Sequence, residues 1–142
     1  MALFNGLLTW LADNSAIDNH YVAEHTKGID TALAEAASFR DLALVEEISG
    51  IPQRELETFY SMFLDTRRTV TVYSQGVNQS TSGTDKVNSI LNCHLVTGRV
   101  GKPGSTPFSV TGQPNAMGGR EVGGLANMLA CHRDFGDPAQ DA

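Results

Sequence analysis

Eleven of the fourteen glycines lie after residue 68, and only Gly6, Gly28 and Gly50 precede it. A residue without Cβ takes positive φ and lets backbone come close to a ligand, but it weakens the interior of regular elements. This asymmetry constrains the fold. Residues 1–68 have room for uninterrupted helices, whereas residues 69–142 must alternate short elements with long glycine-bearing loops. The densest stretch is 111–124, Thr-Gly-Gln-Pro-Asn-Ala-Met-Gly-Gly-Arg-Glu-Val-Gly-Gly, where five of fourteen residues are glycine. It has neither helical nor strand period and reads as a loop presenting Gln113, Asn115 and Arg120. A guanidinium on such backbone suits a flat anion or a phosphate, because its donors are planar and bidentate. Composition alone fits an ordinary surface loop with a solvated arginine equally well.

The first half carries helical punctuation. Leu3, Phe4, Leu7, Leu8 and Leu11 recur at helical spacing, and Asn14 and Ser15 end that helix. Ser15 with Asp18 three residues on resembles a capping box for a second helix through Tyr21 and Val22 to about Thr26, stopped by Gly28. Asp30 opens an alanine-rich helix. Leu44, Val45 and Ile48 mark another, closed by Gly50, and Pro52 stands where a first turn tolerates it. Leu56, Phe59, Tyr60, Phe63 and Leu64 share one face and read as core.

Residues 69–73, Thr-Val-Thr-Val-Tyr, alternate and are β-branched, which predicts a strand. A polar loop over 74–83 follows. Thr84 is placed to cap a helix whose apolar face is Val87, Ile90, Leu91 and Leu95, ending at Gly98. Strand, polar loop and helix form half of a typical nucleotide site, since ligands of open α/β sheets sit at the carboxyl ends of strands. The glycine spacing matches neither a Walker A loop nor a dinucleotide fingerprint. One further strand is expected near 108–110. Two strands are too few for a self-contained α/β domain, so we expect an internal piece of a larger protein.

The chain of 142 residues carries a net charge of −6, which argues against a nucleic-acid surface. No apolar run is long enough to cross a bilayer, and no secretory signal is visible. Cys93 and Cys131 make no disulfide framework, and a reducing, cytoplasmic setting is the default expectation. Both cysteines stand in apolar helical contexts, where a free thiol behaves as a small hydrophobe. His20, His25, His94 and His132 lack metal-ligand spacing, and adjacent Cys-His pairs diverge by about 100° on a helix. We therefore expect no metal or iron–sulfur site held by this chain alone. As a piece of a larger core it should also expose apolar faces such as 56–64.

Three blocks in order carry a resemblance: 75–84 (Gln-Gly-Val-Asn-Gln-Ser-Thr-Ser-Gly-Thr), 95–104 (Leu-Val-Thr-Gly-Arg-Val-Gly-Lys-Pro-Gly) and 108–124 (Phe-Ser-Val-Thr-Gly-Gln-Pro through Gly124). They resemble the bis-molybdopterin guanine dinucleotide oxidoreductases. The block Gly-Gln-Pro-Asn-Ala-Met-Gly-Gly-Arg-Glu-Val-Gly is most similar to the catalytic subunits of bacterial assimilatory nitrate reductases. Asn5-Gly6-Leu7-Leu8 and residues 23–28 extend the resemblance over nearly the whole chain.

The resemblance implies an α/β parent enzyme built around molybdenum bis(molybdopterin guanine dinucleotide) and one [4Fe–4S] cluster. The chain is then an internal fragment of its catalytic domain: a helical portion (1–68), then an α/β portion (69–142) with glycine-rich cofactor and substrate loops. The implied reaction is oxygen-atom transfer from nitrate at molybdenum, releasing nitrite. The electron donor would be a ferredoxin, a flavodoxin or an NADH-linked reductase subunit. By the family pattern Gln75, Gly76, Asn78, Gln79, Gly112, Gly118 and Gly119 belong to the cofactor loops. Gln113 and Arg120 belong to the substrate funnel near molybdenum, and Met117 packs close to the metal's open side. The family's cluster cysteines and its cysteine ligand to molybdenum have no counterpart here, so those sites lie outside this chain and the piece alone should be inactive. A periplasmic nitrate reductase or a formate dehydrogenase uses the same cofactor and remains an alternative, as does a non-catalytic interaction module.

Overall fold

The computed structural model describes residues 1–112, 115–123 and 128–134. The chain forms two compact units, Met1–Ser109 and Val110–Ala142.

The core of the first unit is built on α1 (Ala2–Asp13), which packs against α3 (Ile29–Ala36), the 3-10 turn Ala37–Arg40, α4 (Leu42–Ser49), α5 (Gln53–Asp65) and α7 (Gly83–Val96). Leu7, Leu8 and Leu11, spaced to share one helical stripe, are fully buried with Val45, Leu56, Tyr60 and Cys93. Full burial of each such leucine contributes about 1.5–3 kcal/mol. Gly6 sits where α1 meets α5. A Cβ there would collide with the Tyr60 hydroxyl and lie 3.1 Å from Val45 Cγ2. The same close approach lets Tyr60 Oη donate to Leu3 O at 2.8 Å. The face of Leu56, Tyr60 and Phe63 is buried, which corrects the expectation that residues 56–64 present an exposed apolar face. Exposed apolar side chains are instead Ile48, Met62, Val70, Val72 and Phe108 among others.

The caps differ from expectation in detail. Asp18 itself caps α2 (Asn19–His25), its carboxylate accepting from Tyr21 N at 3.0 Å, while Ser15 turns the chain at φ 58°. No capping box links the two. Gly28, at φ 79°, precedes α3 rather than stopping α2, which ends at the extended Thr26. Gly50 ends α4 as expected, its N–H reaching Glu46 O at 2.8 Å. Pro52 stands just before the first turn of α5.

β1 (Val70–Tyr73) and β2 (Thr106–Ser109) pair in parallel, Val70 opposite Thr106 and Tyr73 opposite Ser109. Between them run α6 (Gln75–Asn78) and α7, so the expected loop over 74–83 contains one helical turn. Ser82, not Thr84, precedes α7 and makes no side-chain cap bond. Residues Thr71 and Tyr73 alternate inward, and Thr71 Oγ1 lies 2.8 Å from His94 Nε2 of α7. Val70, Val72 and Phe108 stay exposed.

In the second unit α8 (Ala116–Glu121) packs against β3 (Met128–Leu129) and the 3-10 turn Ala130–His132, and β3 pairs antiparallel with β4 (Arg133–Asp134). Cys131 is exposed at φ 59° in that turn, which corrects its expected place in an apolar helix. Helices with a two-stranded parallel sheet make this a mixed α/β fold. Among the described residues no helix is long and apolar enough to cross a membrane.

Candidate functional site

Parallel pairing brings the carboxyl ends of β1 and β2 side by side at Tyr73 and Ser109. The chain leaves β1 through the extended Ser74, whose carbonyl accepts from Val77 N and Asn78 N, both at 3.0 Å, and so starts the single turn of α6. A four-residue helix is too short to persist by itself. Three contacts hold it. Asn78 Nδ2 donates to Ser109 Oγ at 3.0 Å, tying α6 to the end of the neighbouring strand. Ser80 Oγ donates to Val77 O at 3.0 Å, and Gly83 N to Ser80 O at 3.0 Å. Gly83 completes the fit, since a Cβ there would stand 2.7 Å from Asn78 O and 3.0 Å from Val77 O. The start of α7 can approach α6 this closely only with hydrogen at that position.

Gln75, Gly76, Asn78 and Gln79 are thereby gathered, exposed, at the carboxyl edge of the sheet. A Cβ on Gly76 would meet nothing within 4 Å. Internal packing does not require glycine there, and the backbone is open to an approaching group. The side chains at this edge are uncharged amides and hydroxyls that both donate and accept. Such a set matches the mixed donor–acceptor edge of a heterocycle, at the position where open α/β sheets bind ligands.

The other residues singled out by sequence lie in the second unit. Residues 116–121 form α8 rather than a loop, so Met117, Gly118, Gly119 and Arg120 are helical. Gly119 N bonds to Asn115 O at 2.8 Å and Val122 N to Gly118 O at 3.2 Å. Ala, Met, Arg and Glu are good helix formers, and two glycines costing about 1 kcal/mol each do not prevent one short helix inside a packed unit. A Cβ on Gly118 would collide with the Asn115 side chain. Gly112 is exposed. Gln113 and the side chains of Met117 and Arg120 lie outside the described residues. The structure thus brings together Gln75, Gly76, Asn78 and Gln79, with the second group in a separate unit joined directly after β2.

Sequence reasoning missed Ser109 and Gly83. Ser109 belongs to the site through the register of a parallel pair, which no local pattern encodes. Gly83 could have been found as the one glycine between the polar loop and the helix. The thiol of Cys93 is fully buried and donates to Phe4 O at 3.1 Å, and burial pushes its pKa up, so it is an inert core group. Among the described residues no group of three or more His, Cys, Asp or Glu is placed to hold a metal ion.

No protein-family model matches the chain. It is 48% identical over 141 residues, 99% of its length, to a nitrate reductase of Shewanella frigidimarina. It is 47% identical over 133 residues to a nitrate reductase of Klebsiella oxytoca, and 38% identical over 138 residues to one of Synechocystis sp.. The chain spans only about 15% of the length of the first two relatives and 19% of the third. Over nearly all its length, therefore, this chain is similar in sequence to a short stretch of each of these nitrate reductases.

Proposed function

We propose that this segment contributes cofactor and substrate contacts to the catalytic subunit of an assimilatory, cytoplasmic nitrate reductase. The observation that carries the reading is the 48% identity over 99% of the chain to a protein named nitrate reductase. It is supported by the uncharged, donor–acceptor edge at Gln75, Asn78, Gln79 and Ser109. Molybdenum bis(molybdopterin guanine dinucleotide), when bound, supplies two-electron oxygen-atom transfer, with a [4Fe–4S] cluster elsewhere in the parent. Ferredoxin, flavodoxin or an NADH-linked subunit is the electron source in this reading.

The amides of Gln75, Asn78 and Gln79 bind the polar edge of a pterin or guanine, and Gly76 leaves room for that ring system to come close. The Arg120 guanidinium orients nitrate, a planar anion, by two parallel hydrogen bonds to two of its oxygens. Gln113 lines the same funnel, and Met117 excludes water from the reacting side. Nitrate, two protons and two electrons give nitrite and water.

Two variants of the full-length parent separate these roles. Gln79→Ala lowers pterin content and nitrate turnover together. Arg120→Ala keeps metal and pterin but lowers kcat/KM for nitrate by about 10²-fold or more, the usual loss for one positioned donor. Arg120→Lys recovers only part, because lysine keeps the charge and loses the fork. Full nitrate turnover in both alanine variants contradicts the assignment.

A further inference from the structure

Of the ten Lys and Arg side chains, four line one cleft: Arg67, Arg68, Arg99 and Lys102. The cleft has a volume of about 560 Å³ and no Asp or Glu in its lining, in a chain whose acids outnumber its Lys and Arg by sixteen to ten. Arg67 and Arg68 immediately precede β1, and Lys102 and Ser105 precede β2. The cleft therefore opens at the amino ends of the strands, the opposite edge of the sheet from the site described above.

The four cations are held there without acidic partners. Arg99 is 7% exposed; its Nη2 donates to Phe63 O and Thr66 O, both at 2.7 Å, and its guanidinium lies 4.3 Å from the centre of the Phe63 ring. Its Nη1 is buried with no hydrogen-bond partner. Lys102 Nζ faces the Tyr21 ring at 5.6 Å. Asp18 stands close by, against Gly98, but its carboxylate caps α2 and forms no ion pair with Lys102. Among the described residues Arg67 and Arg68 form no ion pair. Ser105 is 3% exposed and lines the cleft. Four like charges in a concave site repel one another and focus a positive potential. A monoanion meets one guanidinium; a group with two or more charges and several acceptor oxygens meets the whole set.

We propose that this cleft binds a phosphate-bearing small molecule with at least two negative charges, of which a diphosphate is the best match. The volume falls in the range of small-ligand sites. The dinucleotide cofactor of the proposed function also carries diphosphates, so the site meant here is one that stays open once that cofactor is bound.

The test is calorimetric titration of the cofactor-loaded full-length parent protein with inorganic pyrophosphate in about 0.15 M salt, where diffuse surface attraction is largely screened. Saturable one-site binding is expected. Arg68→Ala and Lys102→Ala, both at exposed positions, should each weaken it about tenfold or more, as expected for loss of one charge-assisted hydrogen bond. Circular dichroism confirms that each variant is folded, and if one is not, the other gives the reading. Absence of saturable binding overturns the proposal, as does binding unchanged in both variants. Tight binding of a hexaglutamate peptide with none of pyrophosphate also overturns it and makes the cleft a docking patch for an acidic protein segment.

Discussion

His94 is buried behind β1 with Nε2 2.8 Å from Thr71 Oγ1, its ring edge-on to Phe63 at 5.3 Å, and Nδ1 without a partner. Burial, reinforced by the nearby Arg99 charge, lowers its pKa from 6.5 to about 4. The unfolded chain therefore takes up a proton near pH 6.5 that the folded chain refuses until about pH 4. Stability from this residue is complete above pH 6.5 and is lost as pH falls toward 4, amounting to about 2 kcal/mol between pH 7 and 5. Urea unfolding of the wild type and His94→Gln at those two pH values measures it. The variant should lose about 2 kcal/mol less on acidification; equal losses would show that His94 is not buried neutral. That Cys93 and His94 point to different partners was legible, because neighbours on a helix diverge. The His94 partner Thr71, 23 residues away, was not legible, since only the packing of α7 on the sheet creates it. Cys93 was legible as a small core hydrophobe from its apolar helix, whereas Cys131 was not, because its positive φ has no sequence mark.

At the scale of elements, α1, α4, α5 and α7 were readable because each repeats apolar residues over about two turns or more, and α1, α4 and α7 are also followed by a recognisable stop. α6 and α8 were not, having four and six residues, too few to show a period. The parallel register that brings Ser109 to Asn78 is equally invisible, because it joins segments separated by a whole helix. Gly83 makes the α6–α7 junction testable. Gly83→Ala forces its Cβ against Asn78 O and should destabilise the chain by about 1–3 kcal/mol, as overpacking does. Denaturant unfolding reads this directly, and an unchanged midpoint would mean that α6 is not seated against α7. Arg99 serves the end of α5, whose last carbonyls have no helical partners. Arg99→Met keeps much of the apolar stem but removes both 2.7 Å bonds to Phe63 O and Thr66 O. It should cost about 2 kcal/mol, within the range for charge-assisted bonds. A variant as stable as the wild type in thermal melts would show that α5 ends without this cap.

For the whole molecule, the chain is similar over nearly all its length to a stretch of proteins named nitrate reductase, and it carries two distinct polar edges on one small sheet. At the carboxyl edge stand the uncharged amides assigned to a cofactor; at the amino edge is a cleft of four cations. The proposed function requires the parent protein to reduce nitrate. The most direct measurement is nitrite formed by the purified full-length parent under anaerobic conditions, with a reduced viologen dye supplying electrons and molybdenum measured on the same sample. Nitrite equal to nitrate consumed, two electrons per turnover and stoichiometric molybdenum are expected. A parent that carries its full molybdenum and pterin yet forms no nitrite, or that oxidises formate instead, would contradict the proposed function.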